Sequence, residues 1–307
     1  IANSTQLISL PRKWTQKYNI KKGDELEIEE GGNKLTIRID KGVELKSKEI
    51  DVTELDRTTI LYYLQSLYRM GYDEIHVKFQ NLTTTHFREG KEISVLKVIN
   101  QEVTRLIGFE VIQQKENYCL IKDISTSSIK EFDNVLRRIF LLISDANSDL
   151  LRGTKEKNMK LIENIEEKHD TITKFISYCS RLLNKYGYPD AQKTIALYHI
   201  IADLDKVIDV IKNAGRDILR FRHDLNGKSI QLIKLVDDNI RLYSEFFYKF
   251  DPKKPVQMYK NRNDMLDLLF QLKNKIPAEE LVTLAKMEHI LELITDMQVA
   301  RMGFEEN

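Results

Sequence analysis

The sequence predicts a multidomain chain in three parts. A small β-hairpin unit comes first, then a small α+β module, then an all-α bundle built from two three-helix repeats. Three observations carry this expectation. Residues 25–39 alternate apolar with charged or polar side chains at period two, on either side of Gly31-Gly32-Asn33. Residues 43–124 mix strand-like alternation with two helical stretches, each closed by a glycine, Gly71 and Gly108. From residue 125 onward apolar residues recur at helical spacing almost without a break. The expected boundaries are 1–42, 43–124, 125–224 and 225–307.

Composition narrows the function classes. A chain of 307 residues can bury two or three cores. Its 42 % hydrophobic and 31 % charged content describes a folded protein with many solvated helix faces. The net charge is only +1, so any nucleic-acid contact must come from a local patch. The two cysteines, Cys119 and Cys179, have no pair spacing. That fits a reducing, cytoplasmic setting with no disulfide framework and no cysteine-based zinc site. No apolar run reaches the roughly 18 residues that span a bilayer, and no secretory signal is visible, so no direct membrane insertion is expected. Ile1 stands where an initiating Met is expected, and a few leading residues are taken to be missing.

In the first unit, Leu7-Ile8-Ser9-Leu10 reads as a short strand and Pro11 opens a helix over Arg12–Tyr18. Lys22-Gly23-Asp24 is a turn, followed by strands over Glu25–Glu30 and Lys34–Ile39. About 40 residues bury little alone, so a homodimer is expected. In the second part, Leu55–Met70 and Ile93–Ile107 read as helices, Glu74–Phe79 as a strand, and Phe109–Gln113 with Tyr118–Lys122 as a hairpin. The helical region divides at Gly153, Tyr186-Gly187-Tyr188-Pro189, Gly227, Asp251-Pro252 and Pro277 into helices over 129–152, 157–186, 190–222, 228–250, 257–275 and 278–302. Leu197, Ile200, Ile201, Leu204, Val207, Ile208 and Ile211 follow the 3, 4 spacing of a bundle seam.

The helical region echoes itself. Leu204-Asp205-Lys206-Val207-Ile208-Asp209 and Leu291-Glu292-Leu293-Ile294-Thr295-Asp296 share one pattern, each in the last helix of a three-helix set and 87 residues apart. His169-Asp170-Thr171-Ile172 likewise echoes Asn263-Asp264-Met265-Leu266 in the middle helices. Acids four apart share a helix face, where their repulsion is relieved if a cation sits over both. Asp205, Asp209, Glu292 and Asp296 are therefore candidate ligands for Mg²⁺, Mn²⁺ or iron. Glu166, Glu167, His169 and Asp170 could complete the first cluster, and Asp264 or Asp267 the second. Such acids also occur simply as a solvated helix face, and both readings stand at this point.

Two resemblances sharpen the picture. Tyr198 to Asp209 resembles the third-helix motif of PhoU proteins, and Leu291 to Asp296 repeats it. Glu167-Lys168-His169-Asp170 with Arg181 resembles that family's middle-helix pattern. The resemblance implies a PhoU-like bundle carrying multinuclear metal clusters on acidic motifs. The motif's usual Arg is Lys206 in one copy and Leu293 in the other, and its later polar residue is Asn213 in one and Ala300 in the other. Leu10-Pro11-Arg12-Lys13-Trp14, with Lys22-Gly23-Asp24-Glu25-Leu26, resembles the AbrB/SpoVT swapped-hairpin family. That resemblance implies two chains interleaved into one β barrel, with DNA gripped by Arg12, Lys13, Lys17, Lys21, Lys22 and Arg38. Residues 1–42 hold eight Lys/Arg against six Asp/Glu, with five of the bases clustered at 12–22 and five of the acids at 24–30. The order of the parts resembles archaeal phosphate uptake regulators.

No P-loop, dinucleotide-binding turn, His-Glu-x-x-His or nucleophile elbow is present, so no enzyme and no organic cofactor is expected. The resulting expectation is a DNA-binding regulator of phosphate uptake, with promoter DNA and a second copy as partners. A phosphate-transporter component is a further expected partner. The alternatives are a transporter adaptor without DNA binding and, further off, a metal-dependent phosphohydrolase.

Overall fold

In the computed structural model, residues 7–31, 34–38, 45–221 and 223–304 are described. The chain divides into two units, Ile1–Leu45 and Lys46–Asn307. The expected first boundary, at 42/43, lies outside the described residues. The parts expected over 43–124, 125–224 and 225–307 pack, from Lys46 onward, as one unit.

The first unit contains α1 (Arg12–Lys17), β1 (Glu27–Gly31) and β2 (Lys34–Arg38). The two strands pair antiparallel, with Ile28 opposite Ile37 and Glu30 opposite Leu35. Leu7–Leu10 is not a strand. A strand needs a neighbour for its N–H and C=O groups, and none of the described residues supplies one. Among the residues of this unit whose burial is described none is buried, and Leu7, Ile8, Ile28 and Leu35 are all more than half exposed.

The second unit opens with a four-stranded sheet. Its strands are β3 (Ser47–Asp51), β4 (Glu74–Lys78), β7 (Phe109–Lys115) and β8 (Tyr118–Asp123), in the order β3-β4-β8-β7. The β3–β4 pair is parallel, joined through α2 (Arg57–Arg69); the other pairings are antiparallel. A separate hairpin, β5 (Thr83–His86) with β6 (Lys91–Ser94), leads into α3 (Val95–Val103). Asp56 caps α2 by accepting from the N–H groups of Thr58 and Thr59. Gly71 and Gly108, at φ of +82° and +85°, end the helical turns in the left-handed region as expected.

Three differences from the sequence expectation have local causes. β3 and the β5–β6 hairpin were not expected: β3 shows one buried side chain, Ile50, which is too little alternation to signal a strand. The helix expected over 93–107 is only Val95–Val103, because residues 91–94 belong to β6. Gly153 does not end a helix. It lies inside α4 (Phe132–Glu156), where a Cβ would come within 2.6 Å of Ile162, so the glycine admits a close crossing.

The helices α4, α5 (Met159–Glu163), α6 (Ile165–Tyr186) and α7 (Ala191–Arg220) form the first set. A second set of three follows: α8 (Gly227–Tyr248), α9 (Lys253–Leu272) and α10 (Ala278–Met302). The helix expected from residue 157 is split at Asn164 into α5 and α6. α9 begins at Lys253, not residue 257, because Pro252 sits at its N-cap and Pro255 fits its first turn. The two sets pack through α7 against α10 and α4 against α8. The expected seam residues Leu197, Ile200, Ile201, Leu204, Val207, Ile208 and Ile211 are all buried.

Candidate nucleic-acid interface and the acidic motifs

α1 starts at Pro11, whose carbonyl accepts from the N–H groups of Trp14 and Thr15. It stops at Asn19, which takes a positive φ of 49°. Trp14 is half-buried and meets the Tyr18 ring edge-on, with centroids 5.8 Å apart. The Lys17 ammonium lies over that same Tyr18 ring at 5.0 Å. The turn after α1 is closed from both ends: the Lys21 N–H donates to Asp24 Oδ2 at 2.8 Å, and the Asp24 N–H donates to the Lys21 carbonyl at 3.1 Å. Gly23 holds a φ of +98° between them. Arg12, Lys13, Lys17, Lys21 and Lys22 are all exposed. Five of the six expected cations thus lie within eleven residues of sequence, on one helix and its following turn. Arg38, the sixth, ends β2. Exposed Glu25, Glu27 and Glu30 follow at the start of the hairpin. The unit therefore carries a basic end and an acidic end along its sequence.

Three acids of the motifs, Asp205, Asp209 and Glu292, are engaged by cations of the protein itself. Asp205 accepts from Arg69 Nη2 at 3.0 Å, and Arg69 Nε donates to the Ser177 hydroxyl at 3.2 Å. Asp209 is held by His169 Nε2 at 3.0 Å and by the Lys212 ammonium. The His169 hydrogen bond is the largest influence on the Asp209 carboxyl; with Lys212 it outweighs burial and brings the pKa down to about 2. Burial alone would push the His169 ring down, but Asp170 and Asp209 outweigh it and raise the ring above its ordinary value. Asp170 accepts from Arg105 at 2.8 Å and lies 3.1 Å from His169 Nδ1. Glu166 is paired with Arg216, whereas Glu167 is exposed. In the second repeat Glu292 is paired with Arg262, and Asp264 and Asp296 are exposed on different helices.

Among the described residues no group of three or more His, Cys, Asp or Glu side chains is placed to hold a metal ion. The expected clusters are thus not assembled among the described residues. One carboxylate oxygen on each of Asp205, Asp209, Asp170 and Glu292 is engaged by Arg69, His169 with Lys212, Arg105, and Arg262 respectively.

The most elaborate polar cluster was not anticipated from spacing. Arg181 of α6 is 1 % exposed. It donates to the carbonyls of Tyr68 (3.0 Å) and Tyr72 (2.6 Å) and to the carboxylates of Asp73 (3.2 Å) and Asp123 (2.6 Å). Its guanidinium also lies 5.0 Å from both the Tyr68 and Phe109 rings. Burial pushes the Asp123 carboxyl up, but the Ser125 hydroxyl and Arg181 outweigh it and keep the group below its usual value. Lys185 adds a second cation, 2.5 Å from Asp73. This cluster joins the sheet to the helical region. Its partners are 58 and 108 residues apart in sequence, beyond the reach of any local pattern.

The comparison with protein families bears on the basic end. Residues 1–44 match the MazE family, described as antidote-toxin recognition, bacterial antitoxin. The N-terminal unit is thus AbrB-like, as its Leu-Pro-Arg-Lys-Trp segment led one to expect. No curated protein and no solved structure matches the chain. The family match does not extend to the helical region. No helix among the described residues is long and apolar enough to cross a membrane.

Proposed function

We propose that this chain is a homodimeric DNA-binding regulator. The observation that carries the reading is the coincidence, within residues 1–44, of the MazE match with five exposed cations on α1 and its turn. In this reading Arg12, Lys13, Lys17, Lys21 and Lys22 of both copies contact phosphates, with Arg38 beside them, and binding is strongly salt-dependent. The exposure of Leu7, Ile8, Ile28 and Leu35 favours a dimer, since these apolar side chains would gain a core from a second copy. Leu7–Leu10 would then find its strand partner across the interface.

The helical region is proposed as the sensing or docking part, and phosphate uptake as the process regulated, on the PhoU-like motifs at 198–209 and 291–296. Regulation, not catalysis, is the proposed role. A second reading, favoured by the printed description of the matched family, makes the unit an antitoxin-type regulator whose partner is a protein. Electrophoretic mobility shifts with the chain's own promoter and with phosphate-transporter promoters test the first reading. It requires a salt-sensitive shift that Arg12→Ala with Lys13→Ala weakens. No shift at low salt would leave the adaptor and antitoxin readings.

A further inference from the structure

α9 has two apolar faces, and the second set of helices uses only one. Pro255, Met258, Met265 and Leu272 are buried against α8 and α10. The other face carries Val256, Tyr259, Leu266 and Phe270, which are 71, 55, 38 and 79 % exposed. With Asn263 these residues follow the spacing 3, 4, 3, 4, the seam of a two-helix contact, with the polar residue at its midpoint. From residue 256 to residue 270 the stripe runs about 21 Å.

We infer that this stripe is a two-fold interface on which a second copy of the chain lays its own α9, antiparallel. Charge decides the occupant and the direction. Lys260 and Asp267 both flank the stripe on the same side, are exposed, and make no ion pair among the described residues. An antiparallel two-fold sets Lys260 near Asp267 of the partner subunit, twice. A parallel two-fold would put the two copies of this flank on opposite sides of the seam, where Lys260 and Asp267 could not pair with each other. Size agrees as well: the antiparallel pairing places Val256, at one end, near the bulky Phe270 of the partner subunit. Opposed helix dipoles add in the same direction. Asn263 on the midpoint supplies the buried polar pair that fixes register. This contact lies in the second unit and does not depend on how residues 1–44 associate.

Cross-linking tests the inference in the full-length chain. The native thiols do not interfere: Cys119 and Cys179 are buried, and burial pushes both above their ordinary value, Cys119 to about 11. Asn263→Cys is expected to cross-link to itself with a short bis-maleimide. Val256→Cys alone is expected to give little product, because its own copies lie about 21 Å apart. Val256→Cys mixed with Phe270→Cys is expected to give a dimer. Ile195→Cys, 82 % exposed on α7, controls for random collision. Lys260→Asp should cut the Asn263→Cys yield at least threefold, and Lys260→Asp with Asp267→Lys should restore it. Cross-linking no greater than at Ile195→Cys, or self-linking of Val256→Cys, would overturn the inference. So would a yield indifferent to the charge swap; each of these results assigns the stripe to another partner or another direction.

Discussion

Replacing Arg181 with Met removes the charge and all four hydrogen-bonded contacts while keeping an unbranched apolar stem. What remains is informative. Asp73 and Asp123, with side chains 3 % and 4 % exposed, lose their shared guanidinium. Lys185 stays close, 2.5 Å from Asp73 but 3.6 Å from Asp123, so Asp123 keeps mainly its Ser125 hydrogen bonds. Breaking a buried ion pair by deleting one partner costs about 3–5 kcal/mol, because the other charge is left desolvated. The surviving lysine places this case in the lower half, about 3–4 kcal/mol. Removing the stranded charge as well, with Arg181→Met and Asp123→Asn together, should recover about 1–2 kcal/mol of that loss. Lys157→Met serves as control, since its pair with Asp224 is 66 % and 70 % exposed and should matter by no more than about 0.5 kcal/mol. Urea unfolding by far-UV circular dichroism gives the stabilities. Hydrogen exchange at β4 and β8 shows whether the loss falls on the sheet–helix joint. A loss below about 1 kcal/mol, or protection unchanged at β8, would refute the claim that this cluster holds the sheet to the helices.

Other outcomes follow from single groups. Burial, only partly offset by Arg105, Arg57 and Arg69, pushes the Glu102 carboxyl from 4.5 up to about 7. A raised acid binds its proton more tightly in the folded state, so its contribution is full below pH 4.5 and is lost as pH rises through about 7. That displacement corresponds to about 3 kcal/mol at most; Glu102→Gln should flatten the stability profile between pH 5 and 7.5, and an unchanged slope would exclude Glu102 as its source. Gly108→Ala should cost about 1–3 kcal/mol, since φ is +85° and a Cβ would lie 2.4 Å from the Ser125 hydroxyl; a neutral effect in thermal melts contradicts the geometry. Because Asp205, Asp209 and Glu292 are already paired with Arg69, His169, Lys212 and Arg262, dialysis against a chelator should leave the melting temperature unchanged, and a drop of several degrees would support the metal reading.

The sequence made the helical region legible because bundle seams repeat over many turns. The residues of α7 at 197–211 announce a buried stripe, and Gly187 and Pro277 mark helix ends. The middle module was half legible. α2, β4 and the β7–β8 hairpin have alternation or caps, whereas β3 buries only Ile50 and the β5–β6 hairpin is mostly exposed. The acidic motifs show the limit of spacing. Asp205 and Asp209 do share a helix face, but what neutralises them comes from Arg69 and His169, 136 and 40 residues away. Arg181 was noticed only as part of a resemblance, and its work at the sheet became visible when Asp73 and Asp123 were brought to it. The basic cluster at 12–22 was legible because it is local: one short helix, one turn, and no long-range partner needed.

DNA binding by the N-terminal unit is tested most directly by the salt dependence of affinity, measured by fluorescence anisotropy on promoter duplexes. Each phosphate neutralised contributes about −0.9 to the slope of log K against log salt. A dimer carrying Arg12→Ala and Lys13→Ala loses four such contacts, so its slope should be shallower by about 3.6 and its affinity weaker on every sequence tried. Absence of binding at about 50 mM salt would contradict the account. A slope unchanged by the double replacement would contradict it equally.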